Sequence, residues 1–438
     1  MTSRSATRSA TTLPAASRRA GGAGRLLVLS AVAWLPAAPP AQAYSVLSHE
    51  ALVDAAWDSS LLPRLRERFP GASPDQLQSA RAYAYGGCLI QDMGYYPYGN
   101  HLFTDLTHYV RTGAFVAALV AEAADLNEYA FALGAAAHYA GDGNGHAIGT
   151  NRAVPLSFPQ LRRKYGDVVA YADDPMAHIR VEFGFDVVQV AAGRYGSPAY
   201  MDFIGFQVAT PLLERAFRRT YALEMKDLFA DLDHAVGSYR WAVSRLIPEL
   251  TRVAWRRRQD EIRRLDPQAS EANFVFTLPR SEYRRRFGTR YREPGLLTRM
   301  VMFLARVMPK VGPLKLLIPK PPTPEGERLF RESFAVSLED YRAWLEDVGK
   351  AGTTLQNINL DVGPPTRAGD YRLADEAYSS LLLLLSQKGF AAVPSDLKQD
   401  ILSFYGDLSA PIATKEDEQR WQRTLHALDE LKASTAAQ

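Results

Sequence analysis

Along most of this chain apolar residues recur every three or four positions, and the two-residue alternation of a half-buried strand is rare. That period belongs to helices that turn one face to a core. It predicts helices at about 46–58, 75–91, 105–124, 127–141, 175–196 and 225–265. A second set follows at 295–308, 336–349, 371–387, 393–404 and 415–433. Two starts are marked in the sequence. Asp125-Leu-Asn-Glu128 has the form of a capping box, and Asp174-Pro175 pairs an N-cap with proline at the first helical position. Between 141 and 150 the run Gly-Asp-Gly-Asn-Gly-His-Ala-Ile-Gly-Thr is expected to stop a helix and let backbone approach a ligand. A second helical lobe is expected from about 200, divided by the proline-rich stretch Ile318-Pro-Lys-Pro-Pro-Thr-Pro324. Leu381–Leu385 reads as the buried face of a core helix. The basic, apolar segment at 295–310 fits either a core-facing helix with a solvated edge or one lying on an anionic membrane surface.

The first 43 residues break this pattern. They hold five arginines and no acid, an apolar stretch from Leu26 to Leu35, and Ala-Gln-Ala at 41–43. This is the layout of a secretory signal, too short in its apolar part for an ordinary transmembrane helix. Cleavage after Ala43 would expose Tyr44 and deliver a secreted or periplasmic protein. Removing the five arginines turns the formal charge of +3 slightly negative, so the mature chain has no overall pull toward nucleic acid. Cys88 is the only cysteine, which rules out an intramolecular disulfide and leaves core packing and metal to hold the fold. Cys88 itself reads as a small buried residue.

Histidine changes the picture further. Six of the 8 histidines fall between residues 49 and 178, under a third of the chain. His138 and Asp142, like His178 and Glu182, are four apart, which puts each pair on one helix face, one turn apart. In order, His49, Asp92, His108, His138, Asp142, His146, His178 and Glu182 sit on or beside successive predicted helices, which a bundle can aim into one core. Imidazole and carboxylate without thiolate suit zinc, and eight ligands fit two or three ions that share carboxylates. The expected fold is therefore all-α: a multi-helix bundle enclosing a multinuclear zinc site at about 44–200, with a helical C-terminal lobe at 201–438.

The order and spacing of these residues resemble the bacterial zinc-dependent phospholipase C family and the related secreted zinc-dependent single-strand nucleases. Both are helical proteins with a trinuclear site, so about three zinc ions are implied. The resemblance covers roughly residues 44–200. It implies that Tyr44, through its freed amino group and carbonyl oxygen, binds one ion with His49. Asp142 would bridge that ion to a second one held by His138, His108 and Asp92, and His146, His178 and Glu182 would hold the third. Glu182 favours the phospholipase branch, because the nucleases end in His-x-x-x-Asp; the five positions from Tyr44 to His49 favour the nucleases. Tyr44 stands where the family has tryptophan. His146 follows Asp142 by four residues where the family has six, which makes His101 the alternative third-ion ligand.

Zinc lowers the pKa of bound water to about 7 and clamps a phosphodiester, so no protein nucleophile is required. Asp92 is the candidate to orient or deprotonate that water while touching metal. Tyr95, Tyr96, Tyr98 and Phe103 could receive a quaternary ammonium head group, stack a base, or simply pack. The expected activity is hydrolysis of phospholipids to diacylglycerol and a phosphorylated head group, with transient contact to a membrane surface. A nuclease on the same metal core, or a metal-stabilised binding protein without turnover, are the alternatives.

Overall fold

A computed structural model of the protein describes residues 45–192, 206–265, 267–275, 319–350 and 353–435. These residues form helices and connecting loops and no β-sheet. The predicted signal, Tyr44 and the basic segment at 295–310 lie outside them.

Helix α1 (Val46–Ala56) runs through a π-helical insertion at Trp57–Leu61 into α2 (Leu62–Arg68), extending well past the predicted end at 58. Helix α3 (Pro74–Leu89) opens with a capping box between Ser73 and Gln76 and ends in a 3-10 turn, Ile90–Tyr95. The single helix expected at 105–124 is two, α4 (His101–Tyr109) and α5 (Thr112–Glu122). Val110 is extended and Arg111 is left-handed at φ 52°, which breaks the hydrogen-bond ladder between them.

Helix α6 (Leu126–Asn144) is the centre of the architecture. Asp125 caps it by accepting from the Glu128 N–H at 2.9 Å. Its residues from Tyr129 to Gly143 are almost all buried, because alanine and glycine leave it no polar face to turn outward. It packs against α1, α3 and α5. The approach to α3 is at backbone contact: a Cβ on Gly87 would stand 1.9 Å from the Phe131 oxygen, and one on Gly134 would stand 2.0 Å from the Ala84 oxygen. Any larger residue at these two positions would push the helices apart.

The glycine run at 141–150 does not stop α6, contrary to expectation. The chain continues to Asn144 and passes through a π-helical turn, Gly145–Thr150, directly into α7 (Asn151–Ser157). A π turn adds one residue per bond and widens the helix, which absorbs the conformational freedom of the glycines. After α8 (Pro159–Tyr165) comes α9 (Pro175–Ala191), capped by Asp174 through the Ala177 N–H at 2.9 Å. Helices α10 (Thr210–Tyr221) and α11 (Leu232–Leu265) follow. α10 packs on α5, and α11 packs on α9.

The C-terminal elements pack on these same helices. Residues 319–323 lie along α9, where the Lys320 N–H donates to the Arg180 oxygen at 2.6 Å. Helix α12 (Pro324–Asp347) starts twelve residues before the predicted position. Thr323 caps it and Pro324 holds its first position, the same signal as at Asp174-Pro175. It crosses α1, α6, the π turn and α7. An irregular strap at 355–371 leads to α13 (Arg372–Gln387), then α14 (Ser395–Phe404) and α15 (Glu418–Ala433). Leu381, Leu382 and Leu385 are buried, as the core-helix reading expects.

Candidate metal centre

Backbone contact between α3 and α6 brings the end of α3 against the middle of α6. Asp92, in the 3-10 turn that follows α3, thereby meets His138 and Asp142, with His108 arriving from α4 and His49 from α1. All five side chains are buried. Three ring nitrogens converge on the Asp142 carboxylate: His49 Nε2 at 3.3 Å, His108 Nε2 at 3.3 Å and His138 Nε2 at 3.1 Å. Asp92 stands 3.4 Å from His108 Nε2 and 3.7 Å from His138 Nδ1. The rings of His49 and His138 stack at 4.3 Å, and that of His108 lies edge-on to His138 at 5.1 Å. Two groups of possible ligands result, His49–His138–Asp142 and Asp92–His108–His138, and they share His138.

The third group is His146, His178 and Glu182. His146 lies on the π turn, and α9 presents the other two. His178 Nδ1 is 3.5 Å from Glu182 Oε1, and the His146 and His178 rings are 5.8 Å apart. His101 is not a member. It begins α4 with an exposed side chain whose ring stands 5.8 Å from that of Tyr95.

The donor set fits a divalent cation. Both oxygens of Asp92, both of Asp142, and Nδ1 of His146 and of His178 are buried with no hydrogen-bond partner. Leaving such atoms unpaired costs roughly 1–3 kcal/mol each, more when charged, and shared cations remove that cost. The orientation of the rings agrees. His108 Nδ1 donates to the Thr104 oxygen at 2.9 Å, and His138 Nδ1 to the Cys88 oxygen at 3.0 Å. His178 Nε2 donates to the Val169 oxygen at 2.6 Å. Anchoring one ring nitrogen fixes the tautomer and turns the other nitrogen toward the metal. Burial, with His146 adding, pushes His178 down to about 3, so the ring is neutral at pH 7, the form a metal takes. Burial would raise Asp142, but His138, His49 and His108 outweigh it and hold the carboxylate well below its usual range. Cys88 is buried and its thiol donates to the Tyr85 oxygen at 3.2 Å; it is in none of the three groups.

The four aromatic candidates separate. Tyr95 lies 6.2 Å from the His108 ring, Tyr96 packs on Tyr239 at 4.4 Å, and Tyr98, nearly half exposed, stacks on His234 at 3.9 Å. Phe103 is fully buried between Phe217 at 5.7 Å and Phe229 at 5.6 Å, a core position rather than a contact surface.

One site residue escaped the sequence reading. Asp361, on the strap, is buried with Oδ1 3.3 Å from His146 Nε2. It follows Asp142 by more than two hundred residues and sits in an irregular loop, so neither spacing nor periodicity marks it. Asn359-Leu-Asp361-Val-Gly363-Pro-Pro shows only that a turn is there.

A family model described as zinc dependent phospholipase C matches residues 48–231, and all eight described ligands from His49 to Glu182 fall inside the match. Comparisons with curated proteins and with solved structures return no match. Residues 48–231, a little under half of the chain, are thus similar to the zinc-dependent phospholipase C family.

Proposed function

We propose that this is an exported zinc-dependent phosphodiesterase of phospholipase C type, which hydrolyses phospholipids to diacylglycerol and a phosphorylated head group. The observation that carries the reading is the set of three buried His/carboxylate groups, two of them joined through His138, inside the segment that matches the family. Zinc bound there would polarise the phosphodiester and activate a water, as such ions do. Asp92 is the residue that would take the water's proton, since its carboxylate faces His108 and His138 with no hydrogen bond to give up. Tyr95, beside His108, would offer an aromatic face to a quaternary ammonium head group, with Tyr96 and Tyr98 further out. Tyr44 would complete the His49 group once signal cleavage frees its amino group. No helix among the described residues is long and apolar enough to cross a membrane.

The test is a side-by-side assay of zinc-loaded secreted protein on a choline-phosphate ester and on single-stranded DNA, with N-terminal mass spectrometry and zinc counting. Faster ester hydrolysis, an N-terminus at Tyr44 and about three zinc ions are expected. Faster DNA cleavage makes the protein a nuclease. Neither activity in zinc-loaded protein makes it a binding protein, and a chain that retains residue 43 removes Tyr44 from the site.

A further inference from the structure

His146 differs from the other histidines whose anchoring is described. His108, His138 and His178 each rest one ring nitrogen on a main-chain oxygen. His146 keeps Nδ1 buried and unpartnered, and its Nε2 stands 3.3 Å from Asp361 Oδ1. A carboxylate takes the place that a carbonyl has elsewhere, and it comes from outside the segment that matches the family.

Asp361 is held for this purpose from every side. Its Oδ2 accepts the hydroxyls of Tyr109 at 2.8 Å and Tyr371 at 2.5 Å, which leaves Oδ1 toward His146. Its own oxygen accepts from Asn151 Nδ2 at 2.7 Å, and the N–H of Leu360 donates to the His108 oxygen at 3.0 Å. Upstream, Tyr139 donates to the Gln356 oxygen at 2.8 Å and Thr112 to the Ile358 oxygen at 2.8 Å. Gly143, on α6, leaves the room the strap needs: a Cβ there would stand 3.0 Å from the Ile358 side chain. A buried carboxylate is costly unless its oxygens are used. Two tyrosines use one of them, and the His146 ring faces the other.

We infer that Asp361 is a positioning residue for the third metal group, fixing the His146 ring through Nε2 so that Nδ1 faces His178 and Glu182. The C-terminal half is thereby part of the metal centre rather than an appendage to it. The inference rests on the zinc reading of the previous section. A carboxylate behind a ligating imidazole orients the ring and raises its basicity, and loss of such a partner costs 10–100-fold in metal affinity.

The experiment uses the full secreted chain, Asp361→Asn and, as a milder change, Tyr371→Phe. Each zinc ion is titrated by competition with a chromophoric chelator, and melting is recorded in the metal-free state. In Asp361→Asn one ion should be held 10–100-fold more weakly, with the others and the metal-free melting temperature unchanged. Tyr371→Phe should weaken that same ion less. A cobalt-loaded sample should show an altered visible spectrum at that ion alone, a change that a merely structural residue would not produce. Unchanged affinity for every ion in both variants overturns the inference. So does equal weakening of all ions together with a lower metal-free melting temperature, which would make the strap a structural brace only. Wild-type protein that takes up no zinc overturns the metal reading itself, and with it this one.

Discussion

The two groups around His138 and the group around His178 are supported in different ways. Around His138 the ring anchors come from the N-terminal helices that also carry the ligands. Thr104 lies one turn before His108, and the Cys88 oxygen belongs to the helix end that also delivers Asp92. Around His178 the support is divided between a neighbouring loop and a distant part of the chain. Val169 lies on the loop before α9, and Asp361 arrives from the C-terminal half. The first pair of groups is assembled by α1, the turn after α3, α4 and α6, all from the N-terminal part of the chain. The third needs the π turn, α9 and the strap to arrive together, so its geometry also depends on the C-terminal half.

The sharpest way to break that contrast is His138→Ala. With Nδ1 on the Cys88 oxygen the ring has one nitrogen to give a metal, so at least one zinc ion per chain should be lost, and the stabilisation that bound metal adds to folding should fall with it. Ester hydrolysis should fall to background. Loss of a second ion as well would mean that the two groups that contain the ring fill together. His178→Ala should cost one ion and leave the pair around His138 loaded. If both variants lose all zinc, the groups fill as one cooperative unit and the contrast between them disappears.

A smaller effect isolates the remote support. Gly143→Val puts a branched side chain where a Cβ alone would already stand 3.0 Å from Ile358 Cδ1. Overpacking of this kind costs about 1–3 kcal/mol. Because the strap carries Asp361, the third ion should weaken several-fold in chelator competition while the other two hold. Equal weakening of all three would show that the strap serves the whole centre.

The same contrast governs what could be read from the sequence. Helix-face spacing exposed His138/Asp142 and His178/Glu182, because four residues make one turn whatever surrounds them. The step from Asp142 to His146 was the obscure one. A glycine-rich segment reads as a break, and only packing against α9 and α12 decides that it winds into a π turn instead. Asp361 could not be found this way, since its place is set by hydrogen bonds from Tyr109, Asn151 and Tyr371 across three elements. The break at Arg111 and the early start of α12 were missed for smaller reasons: one left-handed residue, and a cap-proline pair hidden at the end of a proline-rich stretch.

The smallest expected effect leaves the ions alone and concerns the tie between the two regions. Asp186, on the helix that carries His178 and Glu182, accepts from the hydroxyls of Ser45 and Ser48, the latter at 2.6 Å, and from the Leu47 N–H at 3.1 Å, at the start of the helix that carries His49. Burial outweighs these hydrogen bonds and lifts its carboxyl from 3.8 to about 6. A folded-state value above the unfolded one means that the folded chain binds more protons between those two values, so this group's contribution is present in full below about 4 and is lost as pH rises through 6. A shift of this size corresponds to a few kcal/mol at most, at about 1.4 kcal/mol per unit. Comparing denaturant melts of the metal-free wild type and Asp186→Asn cancels every other titrating group. The stability difference should move in favour of the wild type as pH falls from 7 to 4. A difference that stays flat across that range would mean that Asp186 remains ionised in the fold, held down by Ser45, Leu47 and Ser48, and that the tie between the two regions does not respond to pH.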